Sequence, residues 1–322
     1  MEFLTLIAGL VVLVLSGDYL VKFASGLAIK MRIPPVIVGL TIVSIGTSAP
    51  EIMASARAAL EGNPGITVGN VIGSNIANLA LILGVTALIH PVRVDRSLMR
   101  SDFPMLLLAS LAIWWFARNV EIAQWEGLAL VAGAVVLLSM LYFRSRRARQ
   151  TESPSVDTPE ELEDAARPLP ILLGGIALAS AGLFYGSAWF VDGARCIAIN
   201  NGVSDHIIGL TVVAFGTSVP ELVASGIAAW KRESDLALGN LIGSNIFNIF
   251  LAAGISASII PLPVDAQALE FDFWWMTGVA ALVGLMMLHK GLIHRWKGAV
   301  LLLIYLAYVG YIGGAVAAVS AI

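Results

Sequence analysis

The chain says nearly the same thing twice. Gly39–Glu51 reads GLTIVSIGTSAPE and Gly209–Glu221 reads GLTVVAFGTSVPE, 170 positions apart. In the same register, Gly69–Gly84 (GNVIGSNIANLALILG) matches Gly239–Gly254 (GNLIGSNIFNIFLAAG), and PVRVD at Pro91–Asp95 matches PLPVD at Pro261–Asp265. A long match at one fixed offset is a duplication. The fold must therefore be assembled from two copies of one unit, and the polar residues are the best-preserved part of each copy.

Both copies lie in long apolar runs. Of 322 residues, 58% are hydrophobic and 13% charged, with mean hydropathy +0.87; in soluble domains about a quarter are charged. About 20 apolar residues carry a helix across ~30 Å of hydrocarbon, whereas barrel strands show roughly ten-residue alternating segments. The pattern predicts an all-α polytopic membrane protein with ten transmembrane helices, near 2–24, 34–60, 66–89, 103–118, 124–143, 168–194, 205–230, 236–260, 271–289 and 298–320. One polar connection, 144–167, separates a first five-helix repeat (1–143, motif 39–84) from a second (168–322, motif 209–254). No cleavable leader is expected, since Glu2–Phe23 lacks a basic start and already carries Asp18 and Lys22.

Orientation follows from the basic residues. With the N-terminus outside, fifteen Lys and Arg fall in inner loops and only Arg118 and Arg195 in outer ones, which by the positive-inside bias puts both termini outside and the 144–167 loop in the cytoplasm. Five spans per repeat is an odd number, so equivalent helices cross in opposite directions. Such inverted repeats, with interrupted helices near mid-membrane, recur in secondary transporters.

The chemistry sits inside the spans. Pro50 and Pro220 each lack an N–H and free the carbonyls of Gly46 and Gly216, which must find partners at membrane depth. Thr47 and Glu51, like Thr217 and Glu221, are four apart and share a helix face. Ser48 and Ser218 add hydroxyls. Ser44 is matched by Ala214, so only a backbone carbonyl is common there. Asn70, Ser74 and Asn78 form a polar stripe, as do Asn240, Ser244 and Asn248; Gly69 and Gly73, with Gly239 and Gly243, allow close helix approach. These serines and asparagines read either as ion ligands or as interhelical ties, Asn70 and Asn240 more as ties. Asn75 and Asn245 point elsewhere. The assembled set offers carboxylates, hydroxyls, amide oxygens and carbonyls, without His or Cys. Hard oxygens suit Ca²⁺, Mg²⁺ or Na⁺, and two glutamates balance one divalent ion.

Other polar residues read as structural: Asp18 with Lys22, Asp192 with Arg195 and Arg57 with Glu61 as local ion pairs, the four histidines as interfacial, and Arg144–Arg149 as a topology anchor and contact for anionic lipid. Thr158 reads as the N-cap of a short loop helix. Cys196, the one cysteine, excludes an internal disulfide.

GTSAPE with GNVIGSNIAN, repeated as GTSVPE with GNLIGSNIFN, resembles the two α-repeats of the cation/Ca²⁺ exchanger superfamily, in its prokaryotic sodium/calcium exchanger branch. The resemblance covers essentially the whole chain. It implies that Glu51 and Glu221 bind Ca²⁺ and share in Na⁺ sites. It adds Thr47, Ser48, Thr217, Ser218, Ser74, Asn78, Ser244 and Asn248, and carbonyls of Ser44 and Ala214, as further metal ligands. It also implies that the first and sixth helices slide across a rigid core. Asn248 stands where some members have Asp, so the core carries two carboxylates, as in potassium-independent exchangers. The short loop leaves no room for Ca²⁺-sensing β-domains.

The expectation is a Na⁺/Ca²⁺ antiporter, not an enzyme, multi-pass in the inner (plasma) membrane of a prokaryote. Ca²⁺ and Na⁺ are its transported substrates; no cofactor, nucleic acid or obligate protein partner is expected besides the lipid bilayer. The alternative is Ca²⁺/H⁺ antiport through the same glutamates. A passive channel needs no alternating site, and an intramembrane protease lacks a nucleophile–base pair here.

Overall fold

The computed structural model describes residues 2–151, 159–200 and 216–320. The described helices are α1 (Glu2–Met31), α2 (Pro35–Leu60), α3 (Pro64–Ile89), α4 (Phe103–Ala117), α5 (Gln124–Thr151), α6 (Pro159–Ala166), α7 (Leu169–Asn200), α8 (Val219–Trp230), α9 (Ser234–Ile259), α10 (Ala268–Leu288) and α11 (Arg295–Ser320). Eight of them are long and apolar enough to cross a membrane; α4 and α8 are shorter, and α6 lies in the polar connection. The first eleven residues of the span expected at 205–230 lie outside the described residues.

Helix α5 runs eight residues past the expected end at 143, because Arg, Gln and Ala favour helix. Arg144 there forms an ion pair with the buried Asp102 at the head of α4 and reaches Ser97 Oγ at 3.3 Å. The extension is thereby tied back to the first repeat.

The connection between α2 and α3 shows how the duplicated sequence makes duplicated turns. Gly62 adopts φ +80°, and Asn63 N–H donates to Ala58 O at 2.9 Å, the six-to-one closure that follows a left-handed residue. Its counterpart between α8 and α9 has Arg232 at φ +65° and Glu233 N–H donating to Ala228 O at 2.8 Å. Pro64 then starts α3, where its missing N–H deprives no helical bond.

Two short antiparallel ladders knit the halves together. In order, β1 (Val92–Arg93) pairs with β4 (Leu292–Ile293), and β2 (Glu121–Ile122) pairs with β3 (Leu262–Pro263). Each ladder takes one strand from each half. Asp95 caps the turn after β1, accepting from Ser97 N at 2.6 Å, as Asp265 accepts from Ala268 N at 2.6 Å after β3. Burial alone would raise the Asp95 carboxyl. Hydrogen bonds from the Ser97 hydroxyl and the Ser97 and Leu98 N–H groups, with the nearby Arg144 charge, bring it below its ordinary value.

Two apolar clusters fill the interior. The larger joins α3, α4, α5, α9 and α10 with part of α2; the smaller joins α1, α7 and α8. Helices α1 and α7 pack along their length. Their backbones touch where a Cβ on Gly186 would lie 3.0 Å from Leu13 N and 3.2 Å from Gly9 O. Lys297, expected as a loop cation, is instead buried, its Nζ donating to the carbonyls of Met286 (2.6 Å), His289 (2.9 Å) and Leu292 (2.6 Å).

The ion pairs differ in part from the expectation. Arg57 and Glu61 pair at 2.7 Å, as read. Asp18 pairs across the fold with Lys231 at 2.6 Å rather than with Lys22. Lys22 turns to Asp164 of α6 at 3.5 Å, which Arg167 also reaches at 3.1 Å. A partner four residues along the same helix loses here to one from a docked neighbour. Thr158, read as the N-cap of α6, lies outside the described residues.

Candidate ion-binding site

The two GTS-PE motifs fold differently. Pro50 lies inside the helical stretch Ser44–Leu60, which continues through it, and a π-helical stretch, Gly39–Val43, precedes it. The second copy breaks instead. Ser218 has φ −90° and ψ 3°, α8 starts at Val219, and Pro220 occupies its first turn. The reading of Pro220 as a mid-helix residue is corrected on this point: in the first turn a missing N–H costs no helical bond.

Both copies nonetheless deliver their glutamates inward. Glu51 is 1% and Glu221 0% exposed. Ser44, Thr47, Ser48, Ser74, Asn78, Ser218, Ser244 and Asn248 are all buried, and Thr217 is half-buried. Ala214 lies outside the described residues.

Hydrogen bonds cross between the halves. Ser48 Oγ donates to Glu221 Oε1 at 3.0 Å, and Ser244 Oγ to the same oxygen at 3.4 Å. Thr47 Oγ1 lies 3.0 Å from Asn240 Oδ1, 3.4 Å from Ser44 O and 3.4 Å from Ser244 Oγ. One α2 motif thus meets the α8 glutamate and the α9 stripe in a single polar network.

Several polar atoms remain unclaimed. Both carboxylate oxygens of Glu51, Oε2 of Glu221, both side-chain amide atoms of Asn78 and of Asn248, and Oγ of Ser218 are buried with no hydrogen-bond partner among the described residues. None of the described ion pairs involves either glutamate. A buried carboxylate without partner or counter-charge is costly, and one is retained in a membrane where it serves an ion path. The donor set fits a hard cation as substrate: carboxylates, hydroxyls and amide oxygens, as Ca²⁺ and Na⁺ sites require.

Asn70 and Asn240 are ties between helices, whereas Asn75 and Asn245 are not. Asn70 Nδ2 donates to Ser55 Oγ at 2.9 Å and reaches Glu51 O at 3.4 Å; Asn240 Nδ2 donates to Ser225 Oγ at 3.1 Å. Asn75 and Asn245 bond back to their own helix, to Val71 O and Leu241 O, both at 3.0 Å. Ser55 and Ser225 stand 170 positions apart, so the repeat register could have found them. No sequence signal marked the π-helical stretches Ala77–Ile82 and Asn248–Ala253, which widen the helix at Asn78 and Asn248. Such bulges occur frequently at functional sites.

An apolar helical body with two buried carboxylates inside a shell of neutral oxygens defines a class: membrane proteins that handle hard cations. The chain belongs to the sodium/calcium exchanger protein family, whose model matches residues 1–143 and 171–313. It is 34% identical over 338 aligned positions to the sodium/calcium exchanger MaX1 of Methanosarcina acetivorans, covering 95% of this chain and 97% of that protein. It is 37% identical to the inner membrane protein YrbG of Escherichia coli, covering 87% of each. Its structure also matches that of the sodium-calcium exchanger NCX_Mj, with TM-score 0.81 and 29% identity over 96% of this chain and 98% of the other.

Proposed function

We propose that this protein is a secondary active antiporter that exchanges Na⁺ for Ca²⁺ by alternating access, moving Ca²⁺ outward as Na⁺ enters. The observation that carries the reading is the pair of buried glutamates, Glu51 and Glu221, whose unpartnered oxygens meet no protein cation among the described residues. The names of MaX1 and NCX_Mj support the choice of ions.

In this reading Glu51 and Glu221 supply the charge. Thr47, Ser48, Ser74, Asn78, Thr217, Ser218, Ser244 and Asn248, with the carbonyls of Ser44 and Ala214, supply neutral oxygens. Two carboxylates around one Ca²⁺ leave an almost neutral cavity. Returning with more than two Na⁺ makes exchange electrogenic, and each net charge is worth about 2.3 kcal/mol per 100 mV.

The architecture proposed with it is ten spans in two inverted repeats, 1–143 and 168–322, joined by the cytoplasmic connection 144–167, with both termini outside. The reciprocal ladders β1–β4 and β2–β3 support the pseudo-symmetry, and the distribution of Lys and Arg supports the orientation. The name of YrbG supports an inner-membrane location.

A Ca²⁺/H⁺ exchanger is the second reading, because protons on Glu51 and Glu221 would also satisfy the unpartnered oxygens. Proteoliposomes separate the two. With pH clamped, an outward Na⁺ gradient should drive ⁴⁵Ca²⁺ uptake, and a pH gradient without Na⁺ should not. Uptake driven by pH alone supports the proton reading, and Ca²⁺ flux with no counter-ion supports a channel.

A further inference from the structure

Two serines on α7 face the two GTS motifs. Ser187 is buried and its Oγ donates to Gly216 O at 2.6 Å. Gly216 stands four residues before Pro220, so no N–H from that position can take its carbonyl, and at membrane depth a free carbonyl must find another donor. Ser187 is that donor. Seven residues earlier, close to two turns and so on the same face of α7, Ser180 lies against Gly46, the first-half equivalent of Gly216. The Ser180 hydroxyl is buried and has no hydrogen-bond partner among the described residues. The first-half equivalent of Ser187 is Gly17, which has no hydroxyl.

We infer that Ser187 is a positioning residue for the cation site: its bond to the Gly216 carbonyl fixes the helix break that aims Thr217, Ser218 and Glu221, and so couples the register of α7 to ion binding. Thr217 and Ser218 form the turn into α8, whose first bond runs from Leu222 N to Ser218 O at 3.1 Å, so a fixed carbonyl at 216 sets where that turn begins. The partners of Glu221 on its other side, Ser48 and Ser244, sit on α2 and α9, whereas α7 belongs to the smaller apolar cluster with α1. Ser187 is therefore a polar link between that cluster and the ion-facing shell.

The inference rests on the exchange reading, and its test separates the two. Ser187→Ala, Ser187→Thr and Ser180→Ala are each assayed for Na⁺-driven ⁴⁵Ca²⁺ uptake in proteoliposomes and for Ca²⁺-dependent rise in Tm of the purified full chain. One lost hydrogen bond scales to a change on the order of 10-fold. Ser187→Ala should raise KM for Ca²⁺ by that factor and shrink the Ca²⁺-dependent Tm rise. Ser187→Thr, which keeps the hydroxyl, should stay near wild type. Ser180→Ala, which removes no hydrogen bond, should stay within about 2-fold. Equal KM rises in Ser187→Ala and Ser180→Ala, or a Ser187→Ala protein of lower Tm but unchanged KM, would overturn the inference by assigning the effect to helix packing. A wild type with no Na⁺-driven uptake would overturn the exchange reading, and the Ca²⁺-dependent Tm rise would then decide Ser187 by itself.

Discussion

The repeated glycine pair packs tightly against a neighbouring helix in one half, and among the described residues nothing packs as closely on it in the other. In α9, Gly239 and Gly243 are buried against α2: a Cβ on Gly239 would lie 2.5 Å from Val36 O and 3.1 Å from Gly39 Cα, and one on Gly243 would lie 2.6 Å from Ser44 Oγ. In α3 the equivalents Gly69 and Gly73 are exposed and half-buried. The α9 copy makes a close crossing with α2; the stretch 205–214, equivalent to the α2 residues at that crossing, lies outside the described residues, and among those described nothing comes as close to Gly69 or Gly73. In the proposed orientation the α9 crossing lies at the cytoplasmic end.

The largest expected effect comes where the halves should not differ. Glu51→Gln and Glu221→Gln should each abolish Na⁺-driven Ca²⁺ uptake, because each removes half of the charge that balances the ion. Retained uptake in either variant would show that one carboxylate suffices and would break the equivalence. The glycine pair comes next. Gly239→Ala forces a methyl against backbone that cannot yield and should cost about 1–3 kcal/mol. Gly69→Ala should stay within about 0.5 kcal/mol. Equal losses in thermal unfolding would show that Gly69 is as tightly packed as Gly239.

The smallest effect contrasts the two threonines. Thr47 reaches Asn240 Oδ1 at 3.0 Å, whereas Thr217 is half-buried and shows no such contact among the described residues. In ion-free protein Thr47→Val should destabilise by about 1–2 kcal/mol, because Asn240 keeps a buried, unsatisfied acceptor. Thr217→Val should cost less. The reverse order in chemical or thermal unfolding would show that the network joining the halves is not where the stability lies.

Much of this was legible because two periodicities coincided. The 170-residue register named Glu51 and Glu221 together, and the four-residue spacing of Asn70, Ser74 and Asn78 placed them on one stripe. The family followed from the same letters. The sequence was silent where the two copies diverge. Pro50 and Pro220 stand in nearly the same motif, GTSAPE and GTSVPE, yet one sits inside a helix and the other starts one. That choice depends on packing from other helices, such as Ser187 against Gly216. Local pairing rules also misled: Asp18 and Lys22 are four apart, yet each is claimed by a distant partner, Lys231 and Asp164. The π-helical turns at Asn78 and Asn248 leave no compositional trace, since they change hydrogen-bond spacing rather than residue type.

The central claim is that Glu51 and Glu221 together hold the transported cation, and equilibrium ⁴⁵Ca²⁺ binding to the purified full chain tests it most directly. Saturable Ca²⁺ binding that Na⁺ displaces, and that is lost in both Glu51→Gln and Glu221→Gln, is the predicted result. Undiminished, Na⁺-sensitive Ca²⁺ binding in the double variant would contradict it.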